Sequence, residues 1–286
     1  MLGSPCSAGE RQPRDIMTAH DIPLFKHFAI ELHSDCNRDC FFCPRHSDTS
    51  GKRKDRQGRH VRESLPTEKV LDLLDQVKAM GYRGKINFHH LSEPFLDERL
   101  IPLAREARKR GFACIIHTNG DILRKNYKLS RVAARVFSEI TVGLYDYKNS
   151  VQESIQKTFW RFFLRGTDIH FSKIDNMYPR HGAPVCLSTV SGYREKVEQC
   201  VEQPCFMMRE QCIVHYDGNV AVCCEDFKDE FDVGNVHRQA IADIWRSPRH
   251  TEIVKTLALP GGRKKYSLCR ECPFPAEIVS HTIGKN

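Results

Sequence analysis

Apolar segments of strand length alternate with longer segments of helical periodicity along the first two thirds of the chain. In the first long segment the apolar side chains recur every three or four residues from position 70 to 80, and Gly81 follows as a helix stop. A second such segment, 97–110, ends at Gly111. The short apolar runs that predict strands are 27–32, 85–89, 112–116, 139–144 and 168–171.

Strands that alternate with helices are typical of a parallel sheet joined by right-handed crossovers. The pattern changes near Cys205, where residues 211–223 predict a hairpin with Asp217-Gly218 at its turn. We therefore predict an α/β fold, a partial (β/α)6 TIM-like barrel with a small C-terminal cysteine-rich unit. The predicted divisions are a flexible leader over 1–24, the barrel over 25–190 and the C-terminal unit over 191–286.

The composition favours a globular protein that handles a metal. With 40% hydrophobic and 28% charged residues in 286, the chain can bury a sizeable core, and its apolar runs are too short to cross a bilayer. The first 14 residues lack the apolar stretch of a secretory signal, so we expect a cytoplasmic protein with no membrane partner. Thirteen cysteines in such a compartment favour metal binding or catalysis over disulfides.

The formal net charge of +8 comes in large part from a basic run at 51–62. Such a charge would suit an acidic partner. No aromatic residue that could stack on a base lies within the run, so we interpret it as a solvated loop rather than a nucleic-acid site. We expect no nucleic-acid partner.

Three cysteines, Cys36, Cys40 and Cys43, lie within eight residues directly after the first predicted strand. That position is the carboxyl edge of the sheet, where α/β barrels place their active sites. A cubane iron–sulfur cluster needs four ligands, so three thiolates leave one iron open to a bidentate small molecule. The alternatives are a zinc site that lacks a ligand and unpaired surface cysteines.

The Cys-x3-Cys-x2-Cys spacing, with Phe42 before the last cysteine, resembles the signature of the radical S-adenosylmethionine (SAM) superfamily. The resemblance covers roughly residues 27–275. It implies a [4Fe-4S] cluster on the three cysteines, with Phe42 at the cofactor, and SAM as a co-substrate. It also implies that the reaction begins with abstraction of a hydrogen atom, and that a flavodoxin or ferredoxin-type protein supplies the electron.

Two further segments extend this resemblance to the SAM pocket. His90-Leu-Ser-Glu-Pro94 occupies the place of the turn that holds the amino group of SAM, which makes Ser92 and Glu93 candidates although the usual glycines are absent. One carboxylate beside a cationic amine supplies the required charge-assisted hydrogen bond. Thr118 and Asn119 follow the third strand and would face the same pocket. Ordinary turns are the alternative for both segments.

Four cysteines of the C-terminal unit, Cys205, Cys223, Cys269 and Cys272, are enough to close a coordination sphere. Their spacing alone fits a structural zinc site as well as a cluster. The arrangement resembles the twitch module, the short form of the SPASM extension of radical SAM enzymes. This resemblance implies a second, auxiliary [4Fe-4S] cluster.

Within the superfamily the chain resembles the aminocyclitol dehydrogenases, which implies that Glu225 and Arg180 contact the substrate. The implied reaction is hydrogen abstraction from a carbinol carbon of a sugar-like or aminocyclitol small molecule, an aminoglycoside-type intermediate, giving a ketone.

Cys224 replaces an aromatic residue of those enzymes. As a hydrogen-atom donor, Cys224 would turn oxidation into epimerisation. Alternation along a strand favours Glu225 as the inward residue and Cys224 as a buried thiol facing away. A remaining alternative is a non-catalytic zinc protein that binds nucleic acid.

Overall fold

The computed structural model describes residues 18–46, 48, 51, 53, 58, 62–173 and 193–272. One seven-stranded sheet organises these residues, in the order β5-β4-β3-β2-β1-β6-β7. Its strands are β1 His27–Ile30, β2 Ile86–Asn87, β3 Cys114–Thr118, β4 Glu139–Leu144, β5 Asp168–Lys173, β6 Gln211–Val214 and β7 Val220–Ala221. All neighbouring pairs are parallel except β6 with β7. The predicted α/β fold with a parallel core is confirmed.

Helices connect the strands and stop where the sequence indicates. They are α1 Thr67–Ala79, α2 Leu100–Lys109, α3 Asp121–Lys125, α4 Tyr127–Val136, α5 Ser150–Phe163, α6 Tyr193–Val201, α7 Ile241–Trp245, α8 Pro248–Leu257 and α9 Ser267–Arg270. Gly81 follows α1 with φ +86°, and its N–H bonds to the Lys78 carbonyl at 3.0 Å. Glycine suits this left-handed position because it has no Cβ.

The two faces of the sheet differ in chemistry. On β4, Ile140, Val142 and Leu144 are fully buried against the helices, whereas Glu139 and Thr141 point to the opposite face and are half-buried. Side chains alternate in this way along any strand. The apolar core therefore lies between one sheet face and the helices, and the opposite face is left largely to polar side chains.

The C-terminal unit is continuous with this sheet. The predicted hairpin is confirmed as β6 and β7, with Gly218 at φ +82° in its turn. In addition, β6 pairs in parallel with β1, from His27 opposite Gln211 to Ile30 opposite Val214. Among the described residues, the sixth parallel strand is thus supplied by a segment that the sequence pattern places in the C-terminal unit. The predicted boundary at 190/191 lies outside the described residues, so the division into two units stays a prediction.

The residues just before β1 pack into the core. Ile22 and Phe25 are buried, and the Trp245 indole N–H donates to the Pro23 carbonyl at 3.0 Å. Of the predicted leader, 1–17 lie outside the described residues. Among those that are described, the structure contains no helix with the length and apolar character needed to cross a bilayer.

Candidate active site

The three-cysteine loop begins directly after β1. Cys36, Cys40 and Cys43 are half-buried free thiols, and the Cys43 N–H bonds to the Cys40 carbonyl at 2.9 Å. Burial raises the pKa of Cys36 to about 11, and burial together with the neighbouring Cys43 and Cys36 raises that of Cys40 to about 12. A ligating cysteine must lose its proton, and a metal cluster supplies the positive charge that would offset three thiolates on one short loop, so the loop fits a metal cluster.

Glu93 is 2% exposed and lies at the centre of a hydrogen-bonded cluster beside this loop. Its Oε1 accepts from the Thr118 hydroxyl at 2.7 Å and from the Phe95 N–H at 3.2 Å, and its Oε2 accepts from the Asn119 N–H at 2.7 Å. Burial raises the pKa of Glu93 to about 7 despite these three donors. The structure therefore brings together three of the residues predicted to bind SAM.

The same cluster contacts the cysteine loop through Asn119. The Asn119 side-chain amide lies 4.0 Å from Cys36 Sγ and donates to Asn37 Oδ1 at 2.9 Å. Ser92 is buried in the turn that carries Glu93. The Phe42 ring packs on Tyr145, just after β4, with centroids 4.9 Å apart. All five predicted cofactor residues thus lie on the loop or on the strand ends next to it.

An ion pair that sequence reasoning missed fixes the loop to the sheet. Arg38 Nε donates to Asp121 at 2.7 Å, and Arg38 Nη2 donates to Asp146 at 2.7 Å. Asp121 begins α3 directly after the Thr118-Asn119-Gly120 turn. The loop is therefore clamped to the ends of β3 and β4.

Arg53 is an exception to the interpretation of the basic run as a solvated loop, whereas Gly51, Gly58 and Arg62 are exposed. Its guanidinium is 2% exposed and forms a bidentate ion pair with Glu31, with N–O distances of 2.9 and 2.7 Å. Glu31 follows β1, is fully buried, and also accepts from the Leu91 N–H at 2.9 Å. A carboxylate at this depth needs a paired charge, and Arg53 supplies it. The pair holds the turn that leads to Glu93.

His90 joins that turn to the C-terminal unit. Its Nε2–H donates to the Cys224 carbonyl at 3.1 Å, and its ring stacks on His215 with centroids 4.8 Å apart. Burial lowers the pKa of His90 to about 3, so the ring is neutral at physiological pH. His215 Nδ1 in turn lies 2.8 Å from Asp229 Oδ1.

All four C-terminal cysteines predicted as ligands lie around one cavity, which we name the auxiliary cavity. Cys205, Cys223, Cys269 and Cys272 line it together with Cys224, Glu225 and Arg263. Backbone contacts position the lining residues: the Cys205 N–H bonds to the Leu257 carbonyl at 2.7 Å, and the Glu225 N–H lies 3.5 Å from Cys223 Sγ. Four thiols that line one cavity fit a coordinatively complete iron–sulfur cluster.

Cys224 does not face away, contrary to the alternation argument. It lines the cavity beside Glu225, with Sγ 3.9 Å from Glu225 Oε1, and it packs against Ala29 and Ile213 of the polar sheet face. The physical reason is that β7 ends at Ala221, so strand alternation no longer applies at 224. Arg180, the other predicted substrate contact, lies outside the described residues.

Comparison with known proteins places this geometry in a family. The sequence model of the radical SAM superfamily matches residues 30–179, and that of SPASM, an iron-sulfur cluster-binding domain, matches residues 205–273. The chain belongs to the radical SAM superfamily. The predicted class, an enzyme that uses SAM and a [4Fe-4S] cluster and carries a second iron–sulfur domain, is confirmed.

Individual relatives agree with this assignment. The S-adenosyl-L-methionine-dependent 2-deoxy-scyllo-inosamine dehydrogenase of Niallia circulans is 27% identical over 263 residues, which cover 87% of this chain and 93% of the relative. The crystal structure of BtrN in complex with AdoMet and 2-DOIA has a TM-score of 0.66 at 22% identity and covers 87% of this chain and 93% of its own. Native anSMEcpe with bound AdoMet has a TM-score of 0.55 at 13% identity and covers 88% of each chain. The two structural matches establish the fold.

Proposed function

We propose that this enzyme oxidises a carbinol carbon of a sugar-like or aminocyclitol alcohol to a ketone. Cys36, Cys40 and Cys43 hold the cluster that binds SAM, and the four C-terminal cysteines hold an auxiliary cluster. When bound, SAM on its cluster supplies the acceptor for a hydrogen atom, and the auxiliary cluster supplies an acceptor for an electron. The Glu93 carboxylate pairs with the ammonium group of SAM. The sequence relationship to the Niallia circulans dehydrogenase supports the reaction class.

The observation that carries the substrate class is a row of polar side chains across four neighbouring strands. His117 lies opposite Thr141, and Thr141 lies opposite His170. On β2, Asn87 pairs with Ile115, and His89 lies two positions after Asn87. The His89 ring stacks on the His117 ring with centroids 5.1 Å apart. We name His89, His117, Thr141 and His170 the polar row. Its members are half-buried or exposed on the sheet face away from the helices.

The polar row suits a ligand with several hydroxyl groups. A neutral imidazole offers one donor and one acceptor, and a threonine hydroxyl offers both, so neighbouring members of the row can bind adjacent ring hydroxyls. We name the turn at 90–94, which carries Ser92 and Glu93, the SAM turn. His89 directly precedes this turn, and His117 directly precedes Thr118. A ring held on this row therefore lies next to the residues that bind SAM.

Glu225 is our candidate for the proton acceptor. Ketone formation removes a hydrogen atom from carbon, a proton from the hydroxyl group and one further electron, so the site needs a base as well as the two cofactor acceptors. Glu225 is 4% exposed, lines the auxiliary cavity and follows Cys224, whose carbonyl is bonded to the SAM turn through His90. We assign Arg180 to the substrate only by resemblance.

The electron that starts the reaction has to come from outside the chain. We propose a flavodoxin or ferredoxin-type donor, in the cytoplasm, where thiols stay reduced. The net charge of +8 supports this proposal, because these carriers are acidic and opposite charges steer association.

The test uses 2-deoxy-scyllo-inosamine and related polyols, each deuterated at one carbinol carbon, with anaerobically reconstituted enzyme. We expect a product two mass units lighter than the unlabelled substrate, and one deuterium in the 5′-deoxyadenosine released. An inverted product with the mass of the unlabelled substrate, in which solvent hydrogen has replaced the carbinol deuterium, would contradict oxidation and establish epimerisation.

Two variants locate the substrate. His117→Leu should raise KM for the polyol more than it lowers kcat, because it removes binding contacts and leaves the cofactor residues intact. His237→Leu is the matched control, since His237 is exposed in the C-terminal unit. Equal KM and kcat values in the two variants would show that the polar row does not bind the substrate.

A further inference from the structure

Arg45 is a buried cation, and within the part of the chain that the structure describes no ion pair offsets its charge. It comes two residues after Cys43, and its side chain is 2% exposed. Nη1 donates to the backbone oxygen of Ser34, two residues before Cys36. Among the described residues, Nε and Nη2 have no hydrogen-bond partner although both are buried.

Such an arrangement is costly in the protein without its cofactors. A guanidinium keeps its charge at any physiological pH, and burying a charge without an ion pair is strongly unfavourable. Arg53, the other buried arginine of this region, forms two hydrogen bonds with Glu31, so the fold can pair an arginine where the structure requires it. The contrast indicates that no side chain among the described residues is the partner of Arg45, and that a group that binds later supplies the missing charge.

The position of the guanidinium identifies that group. Arg45 follows Cys43 at one end of the three-cysteine loop, and its Nη1 donates to the Ser34 oxygen just before the other end, so the buried charge lies beside the cysteines. An iron–sulfur cluster with its thiolate ligands carries net negative charge, which increases on reduction. Hydrogen bonds and charges at the sulfur atoms are among the factors that set the reduction potential of such clusters.

The auxiliary cavity repeats this arrangement. Arg263 is 1% exposed and lines the cavity with all four C-terminal cysteines. Each cysteine set therefore has a buried arginine beside it.

We propose that Arg45 is a positioning and tuning residue that neutralises the first cluster and makes it easier to reduce, as Arg263 does for the auxiliary cluster. The proposal rests on the cysteine assignments given under the proposed function. It concerns the clusters themselves and holds for any substrate.

The primary test is a potentiometric titration of the first cluster followed by electron paramagnetic resonance. The background is a variant in which Cys269 and Cys272 are alanine, so that only the first cluster contributes a signal. In Arg45→Gln we expect a more negative midpoint potential with unchanged iron content, and in Arg45→Lys, which keeps the charge, a potential close to that of the parent. An unchanged potential in Arg45→Gln with a full iron load would overturn the proposal.

The reciprocal measurement is the internal control. In a background in which Cys36, Cys40 and Cys43 are alanine, Arg263→Gln should shift the auxiliary potential to a more negative value, and Arg45→Gln should leave it unchanged. If the Cys36, Cys40 and Cys43 variant keeps its full iron content, the ligand assignment fails. That result differs from an unchanged cluster potential in Arg45→Gln, which would overturn only the role of Arg45.

Stability provides a second readout that does not need turnover or a titratable signal. Arg45→Met removes the buried charge, so the increase in melting temperature on cluster reconstitution should be smaller than in the wild type, because the cluster loses a partner. An equal increase would contradict the proposal. Weaker SAM binding by Arg45→Gln, with an unchanged cluster potential, would instead assign Arg45 to the SAM carboxylate and overturn it.

Discussion

His90 donates a hydrogen bond to the backbone oxygen of Cys224 over 3.1 Å, and so connects two segments 134 positions apart. On one side is the turn that leads to Glu93, and on the other is the cavity lined by the C-terminal cysteines. Because the imidazole is neutral and buried, the bond does not depend on physiological pH. A short direct contact therefore joins the proposed SAM site to the proposed auxiliary site.

Glu31→Gln should destabilise the protein strongly. The change leaves Arg53 buried without its charged partner, and breaking a buried ion pair on one side costs about 3–5 kcal/mol. We expect the urea midpoint of the apoprotein to fall with little change in slope. Glu106→Gln is the control, since Glu106 belongs to a surface cluster with Lys109 and Arg110 and should have little effect. Equal midpoints in the two variants would contradict the role of the Glu31–Arg53 pair.

Glu93→Gln should weaken SAM binding. Loss of a charge-assisted hydrogen bond of about 1.5–3 kcal/mol corresponds to roughly a 10- to 100-fold increase in Kd, measurable by calorimetry. In the wild type, affinity should fall as pH drops below about 7, where the Glu93 carboxylate takes up a proton. The variant should lack this pH dependence. An unchanged Kd for SAM would show that Glu93 does not bind SAM.

The same carboxyl group affects the stability of the apoprotein. Its pKa is about 7 in the folded chain against an ordinary value of 4.5, so between these values the folded state binds more protons than the unfolded state. The free energy of unfolding should therefore decrease as pH rises from 4.5 to 7, by up to roughly 3 kcal/mol. Glu93→Gln should flatten this dependence in urea titrations at several pH values. If the free energy of unfolding of the variant depends on pH with the same slope, the dependence belongs to other titratable groups.

Cys224→Ala should still form ketone, because oxidation needs no hydrogen donor. The small cavity left by the thiol should cost about 1 kcal/mol or less of stability. The measurement is product mass in deuterated water for wild type and variant. Loss of product in the variant alone, with 5′-deoxyadenosine still released, would show that the Cys224 thiol takes part in the reaction.

Features encoded by short sequence intervals were predictable. Strand β4 has the predicted bounds, 139–144, because its alternation reports burial on one face directly. The two cysteine sets and the turns at Glu93 and Thr118 are local motifs at strand ends. Strand β2 is shorter than the predicted 85–89, since the chain leaves the sheet after Asn87 to enter the SAM turn.

Features that depend on tertiary contacts were not predictable. The Glu31–Arg53 pair joins residues 22 positions apart through a loop whose path no periodicity reveals. The polar row exists only through the register of four strands, and a single sequence does not contain that register. The pairing of β6 with β1 brings the C-terminal unit into the sheet, whereas composition alone separates the two.

The central claim is that Cys36, Cys40 and Cys43 carry the cluster that cleaves SAM. The most direct measurement compares 5′-deoxyadenosine formation and iron content in the wild type and in the triple alanine variant, under anaerobic conditions with dithionite and SAM. We expect about eight irons in the wild type and about four in the variant, because each [4Fe-4S] cluster holds four. We also expect 5′-deoxyadenosine from the wild type alone. Undiminished 5′-deoxyadenosine from the triple variant would contradict the account.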